Sequence, residues 1–206
     1  MLYLYCKRIG SQNGDLPLSD YRKEKLRHIQ NPQLRSQMLT AEYLLNRAVK
    51  ETFPEARFPL QIRVTETGKP FLSDIPLFIS LSHSGDYAAC AAASYEIGLD
   101  IQRIKPCSQT LVRRYFSEAE QAYIQNSPDP DYAFTELWVM KESCLKASGA
   151  GIAGLSTASL IPEEDGVHAR DYPHARFWTT RIDDYAAAVC ALHGQEAKPD
   201  RICLEE

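Results

Sequence analysis

The chain has 206 residues, 44% of them hydrophobic and 24% charged, a composition typical of a globular protein with a substantial core. Its formal net charge of −4 argues against nucleic acid as a partner. No apolar run approaches a membrane span of about 20 residues, and the N-terminal stretch MLYLYCKRIG does not resemble a signal peptide. The six cysteines form no CxxC pair, so we expect reduced thiols, a cytoplasmic location and no zinc site.

The first part of the chain is predicted to begin with a strand, followed by a basic helix at 20–29. Asn31-Pro32 then supplies an N-cap and a first-turn proline for a long helix, whose apolar residues recur at helical spacing. A strand and a glycine turn are predicted within 58–72. Three consecutive strands follow at 77–84, 87–93 and 96–104.

The second part is predicted to contain a short helix from Ser117 and a longer one from Asp129-Pro130 to Gly149. Further strands are expected at 159–161, 167–170, 176–182 and 185–192. The segment GDYAACAAA (85–93) is similar to DDYAAAVCAL (183–192), which favours two related halves. Chance similarity between alanine-rich strands is the open alternative.

The stretch GLDIQRI (98–104) carries a carboxylate in the middle of a predicted strand. Because alternate residues of a strand share a face, Gly98, Asp100 and Gln102 point away from Leu99 and Ile101. Oxygen ligands placed side by side suit Mg²⁺, which completes its shell with water and substrate phosphate. The alternative, which these residues alone favour, is a solvated polar face.

The stretch WVMKESCLK (138–146) places Trp138, Glu142 and Lys146 on one face of a predicted helix. An acid and a base beside an aromatic ring form a grouping typical of a site. The alternative is an ordinary pair of opposite charges four residues apart, which stabilises a helix by about 0.2–0.5 kcal/mol.

Three shorter patterns have both a structural and a functional interpretation. Ser117 and Glu120 fit a helix-capping box, which is the favoured interpretation of that pair. Ser82-His83 suggests a serine hydrolase, but neighbours in a strand face opposite sides, and a packed histidine is the alternative. Lys69, directly after a glycine, is either solvated or able to reach a phosphate.

The order of these motifs resembles that of the 4'-phosphopantetheinyl transferases, and the chain length is similar to that of their Sfp-type branch. The chain contains, in the family's order, GKPFL, ISLSHSG, IGLDIQRI, RYFSEAE and LWVMKESCLK. The resemblance implies an α+β fold of two similar halves, each an antiparallel sheet packed with a long helix. The halves would span 1–96 and 97–206, with coenzyme A and Mg²⁺ bound in the cleft between them.

The resemblance also implies the reaction. A serine hydroxyl of an apo acyl or peptidyl carrier protein attacks the β-phosphate of coenzyme A, phosphopantetheine is transferred, and adenosine 3',5'-bisphosphate leaves. The enzyme would be a cytoplasmic monomer that depends on Mg²⁺, with Mn²⁺ as a possible substitute. Arg113 and Arg114 are candidates for contact with an acidic carrier helix.

By match to the family, Asp100 and Glu142 would bind the metal, with Gln102 or a water at the third position. Lys146 would contact the phosphate and stabilise the transition state. Glu120 matches the carboxylate proposed to deprotonate the serine, a role given to the Glu142 equivalent in some relatives. The matching coenzyme A contacts are Arg22, Lys25, Arg35, Ser36, Lys69, Ser82, His83 and Lys146.

Two positions depart from the family pattern. Val139 stands where Ser, Thr or Cys is usual, and Gln102 stands where many members carry Glu as a third metal ligand. Because Gln removes a charge, the cation should be held less tightly. A coenzyme A-binding or carrier-binding module that has lost catalysis is therefore the second hypothesis.

Overall fold

The computed structural model describes residues 1–10, 16–151, 154–155, 158–163 and 166–205. These residues form the strands β1 (Leu2–Arg8), β2 (Ile62–Val64), β3 (Pro70–Leu72), β4 (Phe78–Ser84), β5 (Tyr87–Ala93), β6 (Ile97–Arg103), β7 (Leu160–Glu163), β8 (Gly166–Ala169), β9 (Arg176–Ile182), β10 (Tyr185–Ala191) and β11 (Arg201–Glu205). They also form the helices α1 (Asp20–Arg27), α2 (Pro32–Thr52), α3 (Gln109–Tyr115), α4 (Glu118–Asn126) and α5 (Pro130–Ser148).

Two sheets and the two long helices make up the body of the fold. One sheet has the strand order β11-β1-β5-β4 and the other β6-β10-β9. The buried face of α2 packs on the first sheet and that of α5 on the second, and the apolar faces of the two sheets pack against each other. The predicted α+β fold, with a sheet and a long helix in each half, is confirmed.

The helix ends follow from local sequence. Asn31 accepts a hydrogen bond from the Leu34 N–H at the start of α2, and Asp129 accepts one from Tyr132 at the start of α5. A proline follows each cap, where a missing N–H costs nothing. Gly149 ends α5 in the left-handed conformation at a φ of 73°, as glycine commonly does at helix C-termini.

The two similar segments noted in the sequence occupy corresponding places. Each is the central strand of its sheet, β5 in the first and β10 in the second, and each follows an antiparallel neighbour. Tyr87 and Tyr185, which occupy the same position in the two segments, meet edge to face with ring centroids 5.0 Å apart. The similarity between the segments therefore extends to their places in the sheets.

The C-terminal strand β11 was not predicted, and it lies in the sheet of the first half although the sequence analysis grouped 97–206 together. It runs parallel to β1, whereas the other strand pairs are antiparallel. Its two end residues, Arg201 and Glu205, are charged, and the apolar Ile202 and Leu204 between them are exposed, so the strand lacks the usual alternation of buried apolar and exposed polar residues. Ion pairs with α2 hold it, including one from Arg201 to Glu51 at 3.1 Å.

Gly98 allows α5 to lie directly on β6. A Cβ atom at this position would come within 1.8 Å of the Ser143 carbonyl oxygen and 2.5 Å of the Ala147 nitrogen. Both obstacles are helix backbone, which cannot move aside without shifting the helix. The absence of a side chain at residue 98 therefore sets the distance between α5 and Asp100.

We expect Gly98→Ala to lower the free energy of unfolding by about 3 kcal/mol or more, because α5 must be displaced from β6. Urea denaturation measures this loss. Gly10→Ala is the matched control, since a Cβ there meets no atom within 4 Å. Equal stability of the two variants would show that the helix does not pack on the glycine as described.

Candidate active site

A cavity of about 310 Å³ opens between α1, the loop before β3, β4 and α5. Its lining draws on both the 1–96 and the 97–206 segments of the chain. Basic side chains predominate among its ionisable groups, which are Arg22, Lys25, Lys69, His83, Glu142 and Lys146. Such a cavity suits a ligand with several negative charges.

Helix α1 contributes Arg22 and Lys25, three residues apart on one face. Arg22 is buried, and its Nε donates to Glu42 Oε2 at 3.2 Å. The Ser19 N–H donates to the other oxygen of Glu42 at 2.9 Å. Glu42 therefore fixes both Arg22 and the start of α1 against the long helix α2. The sequence analysis missed this role. The available signal was a carboxylate on the apolar stripe of α2, four residues after Met38.

Lys69 follows a turn in which Gly68 has a φ of 86°, a conformation that glycine adopts without strain. Its Nζ donates to the Ala147 carbonyl oxygen at 2.5 Å, in the last turn of α5. A cation is favourable at a helix C-terminus. Burial lowers the pKa of Lys69, and the Glu96 carboxylate opposes that shift. Lys69 thus connects the loop before β3 to α5 at the cavity wall.

His83 lies on β4 and faces the cavity beside Ile79 and Leu81. Burial is the main cause that lowers its pKa, and the charges of Lys146 and Arg22 add to it. Its neighbour Ser82 points to the other side of the strand, as the alternation predicted, and is buried. The two residues therefore do not form the nucleophile and base of a serine hydrolase.

Asp100 is the buried carboxylate of β6, with 2% of its surface exposed. Its Oδ1 accepts from Ser82 Oγ at 2.6 Å and from Lys146 Nζ at 2.7 Å. Its Oδ2 is buried and has no hydrogen-bond partner among the described residues. Burying a carboxylate oxygen without a hydrogen-bond partner costs free energy, so this oxygen marks a place where a cation or a hydrogen-bond donor of a ligand would bind.

Glu142 faces the same cavity from α5, one turn before Lys146. Burial raises the pKa of Glu142, the negative charge of Asp100 raises it further, and Lys146 opposes both. A cation bound nearby stabilises the charged form of a carboxylate whose pKa is raised by a neighbouring carboxylate. Trp138, on the same stripe, packs instead against Tyr115, Phe116 and other aromatic rings, and so anchors this helix face in the core.

The described residues include no group of three His, Cys, Asp or Glu side chains arranged to hold a metal ion. Mg²⁺ needs only one or two carboxylates when water and substrate phosphate complete its shell. The unpartnered Asp100 Oδ2 and the Glu142 carboxyl are hard oxygen ligands of the kind it prefers. The residues present therefore fit Mg²⁺.

Gln102 is half-buried, and its side-chain oxygen accepts from Ser84 Oγ at 3.0 Å. It is not among the residues that line the cavity. The oxygen predicted as a third metal ligand is thus partly engaged by β4. The prediction stays that either Gln102 or a water occupies the third metal position.

Glu120 lies outside the cavity, and the structure confirms the capping box. One oxygen accepts from the Ser117 N–H at 2.6 Å and pairs with Lys141 Nζ at 3.1 Å. The other accepts from the Leu160 N–H at 2.8 Å. Both oxygens of Glu120 are thus engaged, none of its surface is exposed, and it connects α4, α5 and β7. No contact with the cavity supports its predicted role as a base.

Arg35 and Ser36 also lie outside the cavity lining. Arg35 is exposed, and its Nη1 donates to the carbonyl oxygens of Leu26 and Ile29 at 2.7 and 3.3 Å. It therefore attaches the C-terminal end of α1 to α2. The structure brings together six of the predicted residues at the cavity, and Asp100 pairs with one of them, Lys146. The predicted residues outside the cavity lining are Arg35, Ser36, Ser82, Gln102 and Glu120.

Comparison with known proteins identifies the family. The 4'-phosphopantetheinyl transferase superfamily model matches residues 96–190. The 4'-phosphopantetheinyl transferase Sfp of Bacillus subtilis is 30% identical over 186 residues, which cover 85% of this chain and 83% of that protein. The chain belongs to the 4'-phosphopantetheinyl transferase superfamily.

The similarity to the Bacillus subtilis transferase over most of both chains makes the protein an enzyme, a 4'-phosphopantetheinyl transferase. The segment matched by the superfamily model contains Asp100, Glu142 and Lys146. The 4'-phosphopantetheinyl transferase psf-1 of Bacillus pumilus is 35% identical over 135 residues, 62% of this chain and 57% of that protein. A solved holo-[acyl-carrier-protein] synthase of Thermotoga maritima overlaps 49% of this chain and 64% of its own, with a TM-score of 0.42 and 17% identity.

The described part of this transferase has no helix that combines the length and the apolar character needed to cross a membrane.

Proposed function

We propose that the enzyme transfers 4'-phosphopantetheine from coenzyme A to a serine hydroxyl of an apo acyl or peptidyl carrier protein in a Mg²⁺-dependent reaction. The observation that carries this proposal is a basic cavity lined by Glu142, behind which the Asp100 carboxylate pairs with the cavity residue Lys146 and keeps one buried oxygen without a partner among the described residues. Membership of the superfamily supports the same reaction.

The cavity supports coenzyme A as the donor because its cations can meet several phosphate groups. Arg22 and Lys25 of α1, Lys69 of the loop before β3 and Lys146 of α5 line it. Three separate elements thus direct positive charge to one space. In phosphoryl transfer, a protein contributes mainly by positioning the reacting groups and by offsetting their negative charge.

Asp100 and Glu142 would hold Mg²⁺, whose charge, when bound, offsets the negative charge of the pyrophosphate as it is cleaved. The carrier serine oxygen forms a bond to the β-phosphorus, and the bond from that phosphorus to the bridging oxygen breaks. The electron pair leaves with adenosine 3',5'-bisphosphate. Lys146 Nζ, which is 2.7 Å from Asp100, would contact the phosphate under attack.

The serine proton needs an acceptor near the cavity. Of the two carboxylates predicted for this role, Glu142 lines the cavity, whereas Glu120 is enclosed elsewhere. We therefore assign the proton to Glu142, or to a water that it holds, and we assign Glu120 a structural role.

The carrier surface is expected to be acidic, and we propose that Arg113 and Arg114 of α3 meet it. Both side chains are exposed in the last turn of this short helix.

We also propose a cytoplasmic monomer. One chain supplies every side of the cavity, and the six cysteines are free thiols, as expected in a reducing compartment.

The deciding experiment incubates the enzyme with coenzyme A, Mg²⁺ and a panel of apo acyl and peptidyl carriers, and measures their masses. We expect a gain of one phosphopantetheine on at least one carrier, and no gain when EDTA removes the metal. Binding of coenzyme A without transfer to any carrier would favour the module that has lost catalysis.

Gln102→Glu is expected to lower the Mg²⁺ concentration for half-maximal rate by about tenfold, because a second charged oxygen would stand beside Asp100 on β6. Initial rates over a Mg²⁺ titration measure the change. Gln125→Glu adds the same charge on the exposed face of α4 and serves as the control. An unchanged requirement in Gln102→Glu would mean that residue 102 does not act on the metal.

A further inference from the structure

Three alternating serines of β4 join the two sheets along their adjoining edges. Ser80 Oγ accepts from the Leu99 N–H of β6 at 2.9 Å, and Ser84 Oγ accepts from the Arg103 N–H at 3.1 Å. Ser82, between them, accepts from the Ile101 N–H at 3.3 Å. The three hydroxyls thus satisfy backbone donors of β6 that no neighbouring strand pairs on this side.

Ser84 also donates to Gln102, and Ser80 lines the cavity, but of the three serines only Ser82 contacts Asp100 and Lys146. It donates to Asp100 Oδ1 at 2.6 Å and accepts from Lys146 Nζ at 3.1 Å. A hydroxyl has one donor and two lone pairs, so these contacts and the Ile101 N–H use its full capacity. Ser82 is 6% exposed and does not line the cavity.

We propose that Ser82 is a positioning residue for Asp100, an inference that rests on the proposed role of Asp100 as a metal ligand. By donating to Oδ1, Ser82 fixes the rotation of the carboxylate. The other oxygen, Oδ2, is then the one left without a partner. This role differs from the coenzyme A contact that the family resemblance implies for the same residue.

The physical reason lies in the shape of a carboxylate. Lys146 alone cannot fix its orientation, because an ammonium group on a flexible stem follows the oxygen it pairs with. The Ser82 hydroxyl sits on a strand and is itself held by the Ile101 N–H, so it is a rigid donor. Loss of such an outer contact typically costs a metal site about 10–100-fold in affinity.

The first test compares Mn²⁺ binding, measured by electron paramagnetic resonance in the presence of coenzyme A, across Ser82→Ala, Ser82→Thr and Ser80→Ala. We expect Ser82→Ala to weaken Mn²⁺ binding by about 10–100-fold. Ser82→Thr, which keeps the hydroxyl, should restore most of it. Ser80→Ala removes the same kind of contact to the β6 backbone but none to Asp100. Because Ser80 lines the cavity, this comparison is made at saturating coenzyme A, where Ser80→Ala should leave Mn²⁺ affinity within about twofold. Equal losses in Ser82→Ala and Ser80→Ala would overturn the proposal.

The second test needs no metal and no substrate. A double-mutant cycle measures urea unfolding of Ser82→Ala, Asp100→Ala and the double variant, with Ser80→Ala in place of Ser82→Ala as the control cycle. We expect the Ser82 cycle to be clearly non-additive and the Ser80 cycle to be close to additive. Additive losses in the Ser82 cycle would overturn the positioning role. If the wild-type protein binds no Mn²⁺ and the Ser82 cycle is still non-additive, the proposed metal site is overturned, whereas the contact between Ser82 and Asp100 is retained.

Discussion

Asp100→Ala is expected to lower the rate of phosphopantetheine transfer by about a thousandfold or more, because it removes the buried oxygen that has no other partner. The measurement is kcat from the mass assay at saturating Mg²⁺. Glu142→Ala should have a comparable effect. Coenzyme A binding, measured by calorimetry in EDTA, should weaken less, since Arg22, Lys25 and Lys69 remain.

Asp74→Ala is the matched control, because Asp74 is an exposed aspartate outside the cavity lining. It should transfer at the wild-type rate. Near-normal activity of Asp100→Ala would refute the assignment of a metal to this carboxylate. It would also remove the basis for the role proposed for Gln102.

Glu120→Ala is expected to lower the free energy of unfolding by about 3–5 kcal/mol, because it leaves the Lys141 ammonium buried without its counter-charge. Lys141 has 1% of its surface exposed, and its ammonium keeps a 2.5 Å hydrogen bond to the Tyr115 carbonyl and a position over the Phe116 ring, neither of which supplies a counter-charge. The variant also loses the capping contact to Ser117 and the contact to Leu160. Urea denaturation measures the loss.

A paired replacement separates this structural role from that of a base. Glu120→Gln combined with Lys141→Met removes both buried charges and keeps one of the two backbone N–H contacts of residue 120, because an amide has a single accepting oxygen. We expect it to recover part of the stability and to retain kcat per folded molecule. A stable double variant that has lost kcat would instead support Glu120 as the base.

Much of the fold could be predicted because its patterns are local. The helices α2 and α5 carry capping residues and proline at their starts, and the strands β4, β5, β6 and β10 have clear apolar runs or alternation. The strand β11 and the short helix α3 were missed. Each is short, with a weak pattern of its own, and β11 is held by β1 and by ion pairs to α2.

Part of the candidate site could be predicted for the same reason. Strand alternation placed Asp100 opposite Leu99 and Ile101, and helical spacing placed Glu142 beside Lys146, as the structure has them. Glu120 was ambiguous between capping and catalysis. Its partner Lys141 lies in a different helix, so no pattern near residue 120 could show that the carboxylate is enclosed.

The sequence by itself determined the family, the α+β class, and the faces on which Asp100, Glu142 and Lys146 lie, because motif order and periodicity are properties of neighbouring residues. Only the tertiary structure decided which groups meet. Ser82 contacts Asp100 across 18 positions of the chain, and Lys146 contacts it across 46. Such contacts depend on how sheets and helices pack, and this packing left one oxygen of Asp100 buried without a partner.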